Sequence, residues 1–501
     1  MDADALIQKL GKLNPKLVAV IEKYLNKLPG VKKEIDKQTD EVMKDLEGSV
    51  RPYSSDYPTY KRLPDEGISR DNILSDMESM AALEKDRWKE GYVSGTVYHG
   101  SEEHISFLNK VYAANSQTNP LHSDLFPSTS KYEAEIISMT AGMLGADNTD
   151  DEICGSVSSG GTESILLAMK TYRDRARVEK GIKHPEMVVP VTAHAAFNKA
   201  AQYFNIKLRQ VPIGKDYKVD VKAVKRAINS NTIVIVGSAP TFPHGVVDHI
   251  EALSEIAVKK KIGLHVDACL GGFILPWVKQ LGYNVQEFDF SLKGVTSMSA
   301  DTHKYGYAAK GTSVVLYRSL ELRRYQYFTI TDWPGGLYFS PTFAGSRAGA
   351  LSAACWASLV SLGEKGYVDA AKAIMKTADV IKEGIDAIPE LDILGEPLWN
   401  ISFGSKDLDI YRIMDYMTEK QWSLNGLHKP SCVHICCTLR HAQEGVAEKF
   451  VADLKDAVEH VKTNPAKEGG MAPVYGMAAT LPLRGTISQL LKKYMDVLYK
   501  V

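Results

Sequence analysis

The side chains best suited to chemistry stand in four places along the chain. Ser158-Ser159-Gly160-Gly161-Thr162-Glu163-Ser164 follows a turn and opens an apolar helix, Ile165 to Tyr172. Glycines let a backbone approach an anion closely, hydroxyls donate to it, and a helix N-terminus adds positive potential, so the stretch around Gly161 and Thr162 has the makings of a phosphate cradle. It has neither the Gly-Lys-Ser/Thr ending of a P-loop nor the spacing of a dinucleotide fingerprint. His265-Val266-Asp267-Ala268-Cys269 ends an apolar strand. That delivers Asp267 to the edge of a sheet, where a buried carboxylate demands a cationic or hydrogen-bonding partner. Further on, Asp301-Thr302-His303-Lys304-Tyr305-Gly306 reads as a tight polar turn. A lysine enclosed there can be reached as the neutral amine and form a Schiff base. His194, just past a strand that begins at Val188, offers an aromatic face.

Each of these has an ordinary structural reading taken alone: helix capping, a cap on the next element, a solvated lysine. Together they answer four needs at once. Pyridoxal phosphate requires a phosphate site, an aromatic ring over its own, a carboxylate at its pyridine nitrogen and a lysine on its aldehyde. The joint pattern therefore points to that cofactor.

The elements that must position these residues follow from periodicity. From about Lys131 helices and strands alternate: helix Glu133 to Leu144, strand Val188 to Thr192, helix Ala195 to Tyr203, then strands Lys207 to Ile213, Ile233 to Gly237, Gly263 to Val266 and Thr312 to Tyr317, with helices such as Val221 to Ile228 and Glu251 to Lys259 between most of them. Such alternation argues an α/β fold with a mostly parallel sheet flanked by helices, whose sites form at the carboxyl ends of the strands. Beyond Glu364 a long helix runs through Ile385, followed by short strands and helices, a smaller α+β unit. Residues 1–48 read as helix with nine lysines against nine acidic residues, which does not suggest a basic membrane-adhering helix. The expected division is a helical N-terminal arm over 1–60, a large cofactor-binding domain over 61–365 and a small C-terminal α+β domain over 366–501.

Composition narrows the function classes. With 501 residues, 44% apolar and 24% charged, the chain is an ordinary globular protein large enough for several domains. Sixty basic and 61 acidic side chains leave a net charge of -1, which gives no reason to expect nucleic acid. Six cysteines, at 154, 269, 355, 432, 436 and 437, are too sparse for a disulfide framework. Cys432-Val-His434-Ile-Cys436-Cys437 reads as a strand without a second ligand pair, so no metal site is expected. The uncharged run nearest to a membrane span, Ala348 to Gly363, is too short to cross a bilayer, is interrupted by three serines and reads as a buried helix.

At these residues the sequence resembles the sphingosine-1-phosphate lyases, fold-type I pyridoxal-phosphate enzymes of the wider group II decarboxylase superfamily. The likeness is carried by Ser94-Gly-Thr-Val-Tyr98, Asn119-Pro-Leu-His122, Ser159 to Ser164, His194 to Lys199, Phe242-Pro-His-Gly245, His265 to Gly272, Ser299 to Gly306 and Ala344-Gly-Ser-Arg347. The resemblance implies that Lys304 holds the cofactor as a Schiff base, Asp267 pairs with the pyridinium, His194 stacks on the ring, and Thr162 with His303 binds the phosphate. It further implies that Tyr98, Asn119, His122, Lys310, Tyr338 and Ser346 surround the substrate's phosphate and reacting hydroxyl. Tyr98, Tyr338, Lys310 and freed Lys304 all remain open as proton carriers.

The activity so implied is retro-aldol cleavage of a phosphorylated sphingoid base to a long-chain aldehyde and phosphoethanolamine. A homodimer with sites at its interface is expected on the same footing. The main rival is a pyridoxal-phosphate decarboxylase acting on an amino acid, with the same fold and cofactor. Eukaryotic lyases of this kind carry a membrane anchor ahead of the catalytic part. None is present here, so the chain is expected to be cytoplasmic, whether naturally soluble or shorn of an anchor, with a peripheral approach to membranes.

Overall fold

The strand ends that should carry the chemistry converge on one edge of a single sheet in the computed structural model, which describes residues 47–48, 50–53, 56–464 and 484–501. The helical arm expected up to Gly48 therefore lies almost wholly outside the described residues. Three helices come first: α1 (Arg70–Lys89), α2 (Glu102–Asn115) and α3 (Pro127–Met143). Alternation follows, with β1 (Cys154–Ser158), α4 (Gly161–Lys180), β2 (Glu186–Pro190), α5 (Ala196–Phe204), β3 (Lys207–Val211), α6 (Val221–Ala227) and β4 (Thr232–Ser238). It continues through α7 (Ile250–Lys260), β5 (Gly263–Asp267), α8 (Leu275–Gln280), β6 (Ser297–Ala300), β7 (Ser313–Tyr317) and α9 (Leu320–Arg324).

The seven strands are ordered β1-β7-β6-β5-β4-β2-β3. Pairing is parallel from β6 through β3, and only β7 runs against its two neighbours. Every residue of β1, β4, β5, β6 and β7 is buried, as expected where helices cover both faces. Because β1 forms one edge and β2 lies next to the other, the chain crosses the whole sheet after α4. The carboxyl ends of β1, β2, β4, β5 and β6 are thereby left along one rim.

After the hairpin β8 (Phe328–Ile330) and β9 (Tyr338–Ser340), α10 spans Gly349–Asp386. Gly363 interrupts α10 at φ 58°, a left-handed conformation that favours glycine, so the long helix is two helices joined at a bend. The first half is the buried helix expected over Ala348 to Gly363, and the second begins where the sequence placed a helix, near Glu364. A second sheet, ordered β10-β11-β13-β12, is built from β10 (Asp392–Ile393), β11 (Asn400–Gly404), β12 (Asn425–Leu427) and β13 (Cys432–Cys436). It is backed by α11 (Ile410–Glu419) and α12 (Val446–Thr463), and α13 (Arg484–Leu498) follows. Residues ahead of the large sheet run along this second one: Ser94 N donates to Ser423 O at 2.9 Å and Gly95 N to Cys436 O at 2.9 Å. No helix among the described residues is long and apolar enough to cross a membrane.

Several expected boundaries move. The cradle follows a strand, β1, rather than a turn. Predicted strands from Val188, Lys207 and Gly263 shift by one or two residues at their ends, and helices α1 and α2 had no counterpart in the sequence reading.

Candidate active site

The turn between β1 and α4 forms one wall of a cleft of about 430 Å³ lined by Ser159, Gly161, Thr162, His194, Cys269, Asp301, His303 and Lys304 among others. No side chain caps the N-terminus of α4. Its first amide groups and the exposed Thr162 are therefore free to meet an anion. Glu163 steadies the turn, accepting from Ser159 N at 2.7 Å and from Phe343 N at 3.0 Å. The glycine at 161 is demanded by closeness: a Cβ there would lie 2.7 Å from both carboxylate oxygens of Asp301 and 2.8 Å from Cys269 Sγ.

The opposite wall is the turn after β6. Lys304 N donates to Asp301 O at 3.1 Å and Tyr307 N to Lys304 O at 3.0 Å, winding the chain so that Lys304 faces inward. Gly306 passes against the backbone of Thr302, where a Cβ would meet the carbonyl oxygen at 2.4 Å. Lys304 Nζ lies 3.0 Å from Asp301 Oδ2. Burial alone would drive the amine's pKa down, but the Asp301 charge outweighs it and holds the lysine above its ordinary value. Asp301 is likewise held low, Lys304 and His303 overcoming its own burial. His303 turns Nδ1 to Thr312 O at 2.5 Å and is pushed below its ordinary pKa by burial.

Asp267 ends β5 and is buried. Its Oδ1 accepts from Cys269 N at 3.1 Å and from Ser299 Oγ at 3.4 Å, so its protein donors engage one oxygen and Oδ2 receives none from the described residues. His194 is exposed on the cleft wall, with Nδ1 accepting from Ala196 N at 3.1 Å and Phe242 edge-on at 6.5 Å.

Tyr98 and Lys310 meet beside Lys304. The Lys310 ammonium sits 4.7 Å from the centre of the Tyr98 ring, and Tyr98 packs edge-on to Tyr305 at 4.8 Å. Burial pushes the Tyr98 phenol well up. Burial, reinforced by the Lys304 charge, lowers Lys310 to about 8.

The remaining predicted residues gather elsewhere. Asn119 Nδ2 donates to Ser346 Oγ at 3.1 Å, and its Oδ1 accepts from Leu121 N and Arg347 N. The Tyr338 hydroxyl lies 3.1 Å from where a Cβ on Gly345 would stand. His122 is exposed on the Asn119 turn. Neither these four nor Asp267, Tyr98 and Lys310 are among the residues lining the cleft, although Asp267 is joined to its wall through Cys269 and Glu163 ties that wall to Phe343, in the loop that follows Tyr338. Three cleft residues are not singled out by the sequence: Asp301, whose signal is its place three residues before Lys304, Cys269, visible only as the tail of the Asp267 motif, and Gly311, which carries no signal of its own.

The donor set suits pyridoxal phosphate. An uncapped helix start can hold a phosphate, a buried carboxylate with an oxygen to spare can face a pyridine nitrogen, an exposed imidazole can cover a ring, and an amine stands at the end of the cleft. Clusters of His, Cys, Asp and Glu able to hold a metal are absent among the described residues.

Comparison with known proteins agrees. Residues 56–405 match the pyridoxal-dependent decarboxylase conserved domain. A sphingosine-1-phosphate lyase of Oryza sativa is 47% identical, covering 96% of this chain and 89% of that protein. One from Rattus norvegicus is 45% identical over 95% of this chain and 84% of its own. The structure of a Burkholderia pseudomallei sphingosine-1-phosphate lyase superposes with a TM-score of 0.83 at 44% identity, covering 88% of this chain and 98% of that one. Lactobacillus brevis glutamate decarboxylase, at 19% identity and a TM-score of 0.71 over 83% of this chain and 99% of that one, shares the fold.

Proposed function

Since the chain belongs to the sphingosine-1-phosphate lyases of the pyridoxal-dependent decarboxylase family, we propose how its own residues divide the work. The protein is a pyridoxal-phosphate-dependent lyase that cleaves a phosphorylated sphingoid base to a long-chain aldehyde and phosphoethanolamine. The observation that carries the reading is one cleft in which the buried Lys304–Asp301 pair faces the uncapped start of α4, with Lys310 just beyond.

Bound there, pyridoxal phosphate supplies an aldehyde that captures amines and a ring that accepts an electron pair from an adjacent bond. Gly161, Thr162 and His303 would hold its phosphate, His194 would cover the ring, Asp267 would serve the pyridine nitrogen, and Lys304 would provide the attaching amine. Lys310 is the best base for the substrate hydroxyl. With its pKa near 8 it is partly neutral at physiological pH, whereas Tyr98 is pushed away from that range. Lys310 takes the hydroxyl proton as the carbon-carbon bond breaks and the oxygen becomes the aldehyde carbonyl. Lys304, held protonated by Asp301, can then deliver a proton to the carbon left behind.

Asn119, His122, Tyr338 and Ser346 form the substrate-phosphate side. We place these residues in a homodimer with sites at its interface, as in the expectation drawn from the family. We divide the chain into the arm 1–60, the cofactor domain 61–365 and the small domain 366–501. We place it in the cytoplasm, meeting its lipid substrate at membrane surfaces.

The test is to compare turnover of sphingosine 1-phosphate with that of unphosphorylated sphingosine. The reading predicts kcat/KM at least about a hundredfold higher for the phosphorylated base, as expected if two charge-assisted contacts are lost without it. Equal turnover would contradict a phosphate-reading site.

A further inference from the structure

Asp267 is the end of a line of hydrogen bonds that runs through the interior of the sheet. Strands β5 and β6 are parallel with His265 opposite Ser297 and Asp267 opposite Ser299. Side chains two apart on a strand share a face, so all four project to the same side. His265, fully buried and edge-on to Phe197 at 5.8 Å, bridges the two serines: Nδ1 lies 2.8 Å from Ser297 Oγ and Nε2 lies 3.2 Å from Ser299 Oγ. From Ser299 the line reaches Asp267 Oδ1 at 3.4 Å, and Cys269 Sγ also donates to Ser299 at 3.2 Å. From Ser297 it extends to the Tyr172 hydroxyl at 2.6 Å, which also meets Thr296 Oγ1 at 2.7 Å.

Proton counting fixes its direction. An ionised carboxylate only accepts, and a serine hydroxyl has one proton to give. Ser299 must therefore spend its proton on Asp267 and accept from His265, which requires hydrogen on Nε2. His265 is neutral, burial pushing it to about 4, so Nδ1 is then an acceptor and takes the Ser297 proton. Ser297 in turn accepts from Tyr172. The other neutral tautomer would force Ser299 to choose between two acceptors and leave one of them facing a lone pair, a costly arrangement in a buried site.

We propose that His265 is a positioning residue whose Nε2–H tautomer, fixed by Ser297 and Tyr172, aims the Ser299 hydroxyl at Asp267 and keeps that carboxylate oriented toward the cofactor's pyridine nitrogen. The inference rests on the reading of Asp267 as the pyridine partner, and the test separates the two. It also accounts for two neighbouring strands that place a histidine and two serines at fully buried positions, where apolar side chains would pack without hydrogen-bond cost.

The holoenzyme, loaded with pyridoxal phosphate labelled with 15N in its ring, reports pyridine protonation through its nitrogen chemical shift. This readout is independent of turnover, and a merely structural role would not move it. The variants are Asp267→Asn, Ser299→Ala and His265→Gln, with Ser299→Ala the one whose small volume change preserves the fold. Expected are a full shift toward the unprotonated value in Asp267→Asn and a partial shift in the same direction in Ser299→Ala. Cofactor affinity in Ser299→Ala should fall about tenfold, the lower range for a hydrogen bond to a charged group given its 3.4 Å length. Neutron diffraction of the parent should show hydrogen on His265 Nε2 and none on Nδ1. A shift in Asp267→Asn with none in Ser299→Ala would overturn the relay alone. No shift in Asp267→Asn would overturn the Asp267 reading and the relay with it, and hydrogen on Nδ1 would overturn the assigned direction.

Discussion

Replacing Asp301 by asparagine keeps the shape of the side chain and removes the charge that holds Lys304. The cost can be bounded from the structure. Asp301 is 3% exposed and its partner's side chain 23% exposed, with Nζ and Oδ2 3.0 Å apart. Breaking a buried ion pair by removing one partner costs about 3–5 kcal/mol. The lysine can escape by losing its proton, which from its ordinary value of 10.5 down to pH 7 costs about 1.4 kcal/mol per unit, or about 5 kcal/mol. Because Lys304 is open to the cleft, the lower end, about 3 kcal/mol, is the expected loss for the cofactor-free protein.

The pH dependence has a definite sign. In the parent, Lys304 is held above its unfolded value, so its contribution is fully present at neutral pH and is lost only as pH rises through that raised folded value. In the variant, burial without a counter-charge lowers it, the unfolded chain binds more protons, and stability rises with pH between the lowered value and about 10.4. Urea unfolding of both proteins without cofactor at pH 7 and pH 9 measures this. A deficit of about 3 kcal/mol at pH 7 that narrows at pH 9 is expected, while a deficit under about 1 kcal/mol at both would refute the reasoning.

Two further outcomes follow from the same geometry. With Lys310 near 8, the pH profile of kcat/KM should climb through about pH 8, and Lys310→Gln should lose both that limb and most of the rate; an unchanged limb in the variant would remove Lys310 as the base. Gly161→Ala would place a methyl 2.7 Å from the Asp301 carboxylate. It should weaken pyridoxal phosphate binding about tenfold, the scale of moderate overpacking, as read by fluorescence titration, and unaltered affinity would mean the cradle is not where the phosphate sits.

Much of the site was legible because its residues are joined to local signals: Gly-Gly-Thr at a helix start, Asp267 at a strand end, Lys304 in a glycine-bounded turn. What escaped depended on distant pairing. The strand β1 reads Cys154-Gly-Ser-Val-Ser158, weak in β-formers, and is imposed by its antiparallel partner β7, against which Gly155 must lack a side chain because a Cβ would meet Val315 O at 2.4 Å. Asp301 looked like one polar turn residue among several, since nothing in the sequence says that it is buried against Lys304. The grouping of Asn119 with Ser346, 227 positions apart, is implied by the family resemblance and by no local signal. Lys310 stands out in the sequence by its nearness to Lys304, and its lowered pKa arises from desolvation together with the charge of that same lysine.

The central claim is tested most directly by supplying the purified protein with pyridoxal phosphate and sphingosine 1-phosphate and following both products by mass spectrometry, beside a Lys304→Ala variant. The account predicts a long-chain aldehyde and phosphoethanolamine in equal amounts from the parent and neither above background from the variant. Release of carbon dioxide from an amino acid with no cleavage of the sphingoid base, or parent-like turnover by Lys304→Ala, would contradict it.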